Sequence, residues 1–276
     1  MPLPESNQKS WQQRIDRARK LSADYPFAKE LLHFYEHVAG AQRSVYSRVL
    51  AACGDERVQR PAGALRSELD LTILLPEMRG FLGIVEQYAP VPLAEAAREL
   101  VGRGSAAWVE LLTAWWAAGG EAERAPNSHM KFCARAFLEP YAQYLAEHTD
   151  PPVIDVTPSI CPLCGAKPQA GVLRPEGDGT RRTLLCSLCA TEWNYGRIGC
   201  PACGEGSETN LAVYIAEEIK HVRVEACEKC HAYIKTVDLS KDGHAVPLVD
   251  EMAAVPLDLW AAEKGYTKLQ ANLLGM

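Results

Sequence analysis

The sequence predicts an α+β protein in which an N-terminal α-helical bundle is followed by two small ribbon modules and a C-terminal helix. Three observations lead to this prediction. Apolar residues of the first half recur at helical spacing, with almost no strand pattern. Eight of the ten cysteines lie between residues 161 and 230, among short β-rich runs such as NLAVYIAEE. The pattern then returns to helix near the end of the chain.

The predicted domains follow these changes in composition. Residues 1–150 form the α-helical domain, and 247–276 form the C-terminal helical segment. Between them lie a first four-cysteine module at 159–199 and a second at 200–240. The stretch HTDPPVIDVTPS, rich in Pro, Thr and Asp, is typical of a linker and separates the helical domain from the modules.

The first half is expected to hold at least five helices. The stretch SWQQRIDRARKLS, for example, places Trp11, Ile15 and Leu21 on one helical face. Proline is poorly tolerated inside a helix, so Pro76 and Pro256 predict interruptions of their helices. In the second half, the Asp-Gly pairs of PEGDGT and SKDGH predict β-hairpin turns.

Charge and hydropathy exclude several classes of partner. The net charge is −6, and both halves of the chain are acidic. This argues against nucleic acid or an anionic membrane surface as the main partner. No run of about 18 apolar residues predicts a spanning helix, and the first residues do not resemble a signal peptide. A cytoplasmic location is therefore expected, where cysteines more often bind metal or react as thiols than form disulfides.

The cysteines form four pairs, each with two residues between the thiols. Read in order, they make two units, C-x2-C-x21-C-x2-C and C-x2-C-x23-C-x2-C. The first pair of each unit ends in glycine, as CPLCG and CPACG. A tight turn with a positive φ after the second cysteine suits such a metal-binding knuckle, and glycine permits it. The candidate metal ligands are Cys161, Cys164, Cys186, Cys189, Cys200, Cys203, Cys227 and Cys230.

Two such units predict two metal ions per chain. Four thiolates in a tetrahedron suit either Zn²⁺ or a single iron, and the spacing does not choose between them. Sequential use of the cysteines, four for each ion, is the expected arrangement. Interleaved pairing is the alternative, because only ten residues separate Cys189 from Cys200.

Other interpretations of the cysteine pairs fit less well. A thioredoxin-like pair needs a strand before it and a helix after it, whereas strand-like sequence flanks these pairs. The stretch CEKCH at 227–231 matches a c-type haem attachment pattern, but the other three pairs lack the histidine. His231 is expected beside the metal site and not as a ligand. Cys53 and Cys133 are expected to be buried apolar residues.

No catalytic constellation accompanies the cysteines. The sequence has no GxSxG element, no phosphate-binding glycine loop and no catalytic carboxylate pair. His33 and His37 have the i, i+4 spacing of metal ligands, but no third ligand is evident, so solvated or core histidines are the preferred interpretation. Closed sites of four cysteines leave no open position for a substrate. The protein is therefore not expected to be an enzyme.

At this point the sequence resembles a known family. The stretches CPLCGAKP, LLCSLCATEWNYGRIGCPACG, VEACEKCHAYIKTVDL and PLVDEMAAVPLDLWAAEKGY are similar to those of the formate dehydrogenase accessory (maturation) protein family, FdhE. The resemblance covers roughly residues 160–266 and includes all four cysteine pairs. The helical half fits the family only loosely.

The resemblance implies a function that composition does not. It implies a cytoplasmic maturation factor that associates with the catalytic subunit of a respiratory formate dehydrogenase and supports its activation. It also implies rubredoxin-like (or zinc-ribbon-like) modules that bind iron, one ion per four-cysteine site and two per chain, with zinc as the alternative. A rubredoxin-like electron-transfer protein or thiol oxidoreductase is the second interpretation. The sequence does not predict the oligomeric state.

Overall fold

The computed structural model describes residues 7–119, 128–150 and 158–276. Six helices fill the described part of the first half, and the two cysteine modules and two further helices come after them. The helices are α1 Asn7–Asp24, α2 Lys29–Cys53, α3 Leu71–Tyr88, α4 Val91–Arg103, α5 Ser105–Ala117, α6 Ser128–Glu147, α7 Pro247–Ala253 and α8 Val255–Glu263. The predicted α+β class and its order of helical and cysteine-rich parts are confirmed.

The helical half packs around the amphipathic helix α2. Nine residues of α2 are buried, with spacings of three and four along the chain, so that one apolar stripe contacts α1, α3 and α6. Helix α6 is the most deeply embedded of these helices, with 14 of its 20 residues buried. Burying such faces is the main source of stability for helices of this length.

The predicted break at Pro76 is wrong. Helix α3 runs without interruption from Leu71 to Tyr88 with Pro76 inside it. Asp70 caps this helix by accepting a hydrogen bond of 2.9 Å from the Thr72 N–H. Pro76 lies only about one and a half turns from the start, where its missing N–H removes a single bond, to the Thr72 carbonyl. The interruption predicted near Pro256 does occur, at Ala254 between α7 and α8.

The nine strands of the described residues form two sheets. A short parallel pair, β1 and β2, lies within the helical half, and seven strands form one sheet in the order β5-β4-β3-β8-β7-β6, with β9 pairing to β8. Thr149 and Asp150 of the expected linker belong to β2, and 151–157 lie outside the described residues. The strands are β1 Val58–Gln59, β2 Thr149–Asp150, β3 Pro168–Glu176, β4 Gly179–Cys186, β5 Glu192–Asn194, β6 Leu211–Ile215, β7 Val222–Cys227, β8 Ala232–Asp238 and β9 Thr267–Lys268.

The two cysteine modules share this sheet. Strand β3 of the first module pairs in parallel with β8 of the second, in a register that places Gly171 opposite Thr236. A Cβ atom on Gly171 would lie 2.3 Å from the Thr236 Oγ1. A side chain at position 171 would therefore collide with the Thr236 side chain where the two strands pair. The two modules are therefore joined by main-chain hydrogen bonds into one sheet and are not structurally independent.

Of the two predicted hairpins, the one in PEGDGT is present, but its turn lies one residue before the Asp-Gly pair. Glu176 pairs with Gly179, so Gly177 and Asp178 form the two-residue turn between β3 and β4, and Gly177 has a φ of +55°. The second turn, SKDGH, does not join two strands, because it leads from β8 into α7. There the Asp242 carboxylate accepts hydrogen bonds from the His244 N–H and from Arg17. An Asp-Gly pair therefore marks a turn without indicating whether a strand or a helix comes after it.

Candidate metal centres

The structure gathers the eight paired cysteines into two clusters. Site 1 comprises Cys161, Cys164, Cys186 and Cys189, and site 2 comprises Cys200, Cys203, Cys227 and Cys230. In each cluster the four Sγ atoms lie within 4.8 Å of one another. The cysteines are used sequentially, four for each cluster, and the interleaved alternative is not the arrangement seen.

The sulfur spacing fits a tetrahedral thiolate site. In site 1 the Sγ atoms of Cys161 and Cys189 are 3.5 Å apart, and those of Cys164 and Cys186 are 3.3 Å apart. The corresponding distances in site 2 are 3.7 Å between Cys200 and Cys230 and 3.8 Å between Cys203 and Cys227. Zinc–sulfur bonds of about 2.3 Å imply sulfur–sulfur edges of about 3.8 Å. Either cluster could therefore hold one ion.

All four cysteine pairs adopt the same turn. The residue after the second cysteine has a positive φ in each: Gly165 at +74°, Ala190 at +54°, Gly204 at +75° and His231 at +54°. In three of these turns its N–H donates to the carbonyl of the first cysteine at 2.9 Å. Glycine adopts this backbone without strain, whereas Ala190 and His231 are the two non-glycine residues with positive φ in the described part of the chain. The turn predicted for two pairs thus occurs in all four.

Site 1 is held by the helical half. The N–H groups of Gly63 and Leu65 donate to the carbonyls of Pro162 and Leu163 at 2.9 and 3.3 Å. Arg66 donates from Nε to the Cys164 carbonyl at 3.0 Å. On the other side of the cluster, the Arg135 guanidinium of α6 donates to the Ser187 carbonyl at 2.9 Å. The four cysteines belong to the same apolar core as the N-terminal helices.

The two sites differ in their exposure. All four cysteines of site 1 are between 1 and 3% exposed. In site 2, Cys200 and Cys227 are buried, but Cys203 and Cys230 are exposed. Two of the four cysteines of site 2 are therefore exposed to solvent, whereas all four cysteines of site 1 are shielded from it.

Without a bound cation, burial keeps the four thiols of site 1 from all being ionised. Burial raises the pKa of Cys186 and Cys189 well above the usual value for a thiol. Hydrogen bonds from Cys161 and the other two cysteines lower the pKa of Cys164. Two N–H groups, of Leu188 and Cys189, point at the Cys186 sulfur at 3.4 and 3.5 Å. A metal ion that binds here displaces the remaining thiol protons, and the N–H groups stabilise the thiolates.

Residues singled out by the sequence outside the clusters have structural roles. The rings of His33 and His37 are 4.8 Å apart and His37 stacks on Tyr88 at 3.5 Å, so this pair is an aromatic cluster. His231 is one turn residue of site 2, as expected for a neighbour of the site. Cys133 is buried, and burial raises its pKa to about 12. Cys53 is exposed at the end of α2, so its predicted burial is wrong.

Sequence reasoning missed a third group of potential ligands. His221, Asp242 and Asp250 lie within 4.8 Å of one another. The Arg17 guanidinium of α1 already fills this position, with its Nε 3.0 Å from Asp250 and its Nη2 2.6 Å from Asp242. The group is therefore a charged contact between the first helix and the C-terminal elements. Arg17 and Asp242 are 225 positions apart in the chain, and no local pattern marks their contact.

Comparisons with known proteins agree with this architecture. The family model described as "FdhE, central domain" matches residues 160–197, and "FdhE, C-terminal domain" matches 198–274. The two models meet between site 1 and site 2 and together include every cysteine of both clusters. The chain is similar to the FdhE family over both of its cysteine modules.

Relatives extend the similarity over the whole length. A "Protein FdhE homolog" of Aquifex aeolicus is 27% identical over 97% of this chain and 96% of its own length. The homolog of Pseudomonas aeruginosa is 35% identical over 56% of this chain, and the matched part is about half, 52%, of that protein. The crystal structure of the FdhE protein from P. aeruginosa has the same fold, with a TM-score of 0.72 at 24% identity over 98% of this chain and 96% of that one.

The described helices carry no candidate membrane span. None combines sufficient length with sufficiently apolar sequence to cross a bilayer.

Proposed function

We propose that this protein is a cytoplasmic maturation factor for a respiratory formate dehydrogenase. It binds the immature molybdenum- or tungsten-containing catalytic subunit and supports its activation, and it is not itself an enzyme. Iron is the proposed metal, one ion per site, with zinc as the alternative. The observation that carries the proposal is the pair of four-cysteine clusters, which lie within the region matched by the two FdhE models.

The geometry of the clusters supports a binding role over catalysis. Four thiolates complete the tetrahedron of either ion, and no ligand position is left open for a small substrate. Site 1 is built into the helical core, where a bound metal stabilises the junction between the two halves of the protein. The metal-free helical half and the metal-dependent modules can then present one rigid surface to a protein partner.

Electron transfer is the second candidate function. The exposure of Cys203 and Cys230 favours it, because electrons enter and leave a rubredoxin-like iron most readily where its sulfurs reach the surface. In this role site 2 would change oxidation state during the maturation of a partner or in a free thiol or electron-carrier reaction. Turnover of a dithiol or an electron carrier by the purified protein would favour this candidate.

Co-purification tests the main proposal. The wild-type protein, isolated anaerobically, is expected to retain the formate dehydrogenase catalytic subunit and two metal ions per chain, identified by metal analysis and an optical spectrum. The Cys186→Ala/Cys189→Ala variant should lose site 1 and retain less of the subunit. Failure of the wild type to retain the subunit, together with full formate dehydrogenase activity in a deletion strain, would show that the proposal is wrong.

A further inference from the structure

One face of the second cysteine module is not covered by the rest of the described chain. Along β6, Val213 and Ile215 project to the same face of the sheet and are 51 and 50% exposed. Tyr214 projects to the opposite face, where its ring lies 4.5 Å from that of Trp260 in α8. Helix α8 therefore covers one side of this hairpin, and aliphatic side chains remain exposed on the other.

The exposed aliphatic residues lie beside a groove of about 260 Å³. Its floor is formed by Leu211 and Val213 of β6, Glu225 of β7 and Ile234 of β8, and its wall is the segment 197–202 that leads into the third cysteine pair. Ile198 on this wall is itself 44% exposed. We refer to this feature as the β6 groove. An opening of this size accommodates one or two aliphatic side chains of a partner.

The groove ends at an open sheet edge. Among the described strands, β6 pairs with β7 on one side and has no strand on the other. The outward N–H and C=O groups of such a strand pair readily with an extended polypeptide. Peptide recognition by strand addition combines this backbone pairing with pockets for alternate side chains, and the β6 groove supplies such a pocket.

Three arginines, Arg182, Arg197 and Arg223, line the β6 groove. Arg182 is 3% exposed, and its two terminal nitrogens donate to Glu225 and to the carbonyls of Gly196 and Gly199. Its Nε is buried without an acceptor among the described residues. Arg223 donates to the same Glu225 carboxylate. Two guanidinium groups thus share one carboxylate, and the exposed Arg197 adds a third positive charge to the lining.

The strand register places one of these arginines, Arg223, away from site 2. Leu211 pairs with Cys227 at the site 2 end of β6, and Ile215 pairs with Arg223 at the other end. Four thiolates around a divalent ion leave a net charge of about −2 at the first end. A carboxylate of an occupant is therefore favoured beside Arg223, at the end of β6 farther from site 2.

We propose that the β6 groove docks an extended segment of the formate dehydrogenase catalytic subunit. The segment adds to the sheet along β6, places aliphatic side chains against Val213 and Ile198, and directs a carboxylate to Arg223. This inference rests on the proposed function and names the surface that performs it. A second copy of this chain could instead pair edge to edge through β6. That pairing would leave the face of the groove open. It would account for the unpaired edge of β6 but not for the apolar groove or for the arginines that line it.

Binding of purified proteins tests the inference. The metal-loaded protein is titrated with the purified, immature catalytic subunit, and the affinity is compared between wild type and Val213→Lys/Ile215→Lys. Two lysines on an edge strand oppose strand addition and fill the groove with charge, so the affinity is expected to decrease at least about tenfold, as for an interface hot spot. The control is Val91→Lys, an equally apolar and more exposed position on α4, 69% exposed, which should change the affinity less than about twofold.

A second variant separates charge from packing. Arg197 is exposed, so Arg197→Glu is expected to leave the fold and both metal ions in place, which metal analysis of the variant checks. It is expected to weaken binding about fivefold at low salt and less at high salt, because a charge at the rim of an interface is screened. Hydrogen exchange supplies an independent readout, since the amides of residues 211–215 should become protected when the subunit binds.

Each outcome decides between the two proposals. If the wild type does not bind the subunit, the proposed function is wrong and the docking inference falls with it. If the wild type binds, but the double lysine variant binds equally well with 211–215 unprotected, only the docking inference is wrong. A change from dimer to monomer in the lysine variant without loss of binding would assign the groove to a second copy of the chain and would also overturn the inference.

Discussion

Lys235 and Glu251 form an ion pair of 3.0 Å in which neither side chain is exposed to solvent. Lys235 lies on β8, in the middle of the shared sheet, and Glu251 lies on α7. Two further charges complete the group, because Asp258 accepts from Lys235 at 2.6 Å and Lys268 approaches Glu251 at 2.5 Å. Two lysines and two carboxylates thus balance each other where the last helices pack on the sheet.

Neutralising one member should destabilise this junction. Replacing Glu251 by glutamine leaves Lys235 and Lys268 facing a single carboxylate, that of Asp258. Removal of one partner from a buried pair is expected to lower the free energy of unfolding by about 3 kcal/mol. Urea unfolding followed by circular dichroism measures the change. Glu217→Gln is the control, since the Glu217 side chain is 86% exposed and should alter stability by less than about 0.5 kcal/mol.

The same pair predicts a dependence on pH. Burial by itself raises the pKa of Glu251, but Lys235 and Lys268 outweigh burial and hold that pKa below its usual value. A carboxyl with a lower pKa in the folded state stabilises the fold above its unfolded pKa, about 4.3, and this contribution is lost as the pH falls through the folded value. The difference in stability between wild type and Glu251→Gln should be constant from about pH 7 to 5.5 and decrease below about 4.3. A difference that grows on acidification would contradict this assignment.

Metal removal should distinguish the two cysteine sites. In protein loaded with zinc, the chromogenic chelator pyridylazoresorcinol is expected to take one ion quickly, from site 2, and the other slowly. The reason is that Cys203 and Cys230 are exposed, whereas the site 1 cysteines are 1 to 3% exposed. Absorbance of the chelator complex follows both phases.

Cysteine variants assign these phases. Cys203→Ser/Cys230→Ser should abolish the fast phase and leave one slowly released ion. Cys53→Ser, which removes an exposed cysteine far from both sites in sequence, should retain both phases. Release of both ions at one rate from the wild type would show that exposure of the sulfurs does not control exchange.

The contact between Gly171 and Thr236 predicts a rescue experiment. Gly171→Ala would place a Cβ 2.3 Å from the Thr236 Oγ1 and is expected to cost about 1–3 kcal/mol of stability through overpacking. The Oγ1 has no hydrogen-bond partner among the described residues, so Thr236→Ala alone should cost less. Combining both changes should recover more than half of the loss.

A matched glycine provides the control for this cycle. Gly179 also lies in a strand, but a Cβ there would meet no atom within 4 Å. Gly179→Ala should therefore leave the thermal midpoint nearly unchanged. Additive effects of Gly171→Ala and Thr236→Ala, with no recovery in the double variant, would show that the close approach is relieved by movement of the strands.

Local chemistry explains which parts of the fold were predictable. The stripe through Trp11 and Ile15 and a hairpin turn within PEGDGT are determined by neighbours within a few residues, and the structure contains both. The CxxC spacing likewise places two sulfurs on one turn, so the sets of four could be anticipated. Ala190 and His231 also have positive φ, but neither is a glycine, so the residue type did not predict this backbone. Only the similarity of their CxxC pairs to the two pairs followed by glycine could have indicated it.

Long-range contacts account for the features that were not predicted. The parallel pairing of Gly171 with Thr236, the ion pair of Lys235 with Glu251 and the contact of Arg17 with Asp250 each join residues that are distant in the chain or on different elements. Pairing partners of strands depend on the whole sheet, and a buried charge acquires its partner only when the elements pack. The unequal exposure of the two metal sites results from the same packing.

The parallel pairing of β3 with β8 also bears on how the chain emerges from the ribosome. Strands β3 and β4 and all cysteines of site 1 are synthesised before any residue of β8 exists. Until β8 arrives, one edge of β3 is open, and open apolar edges associate with other nascent chains. Slow translation or metal shortage during that interval therefore favours aggregation. The yield of folded protein should depend more on metal supplied during synthesis than on metal added afterwards.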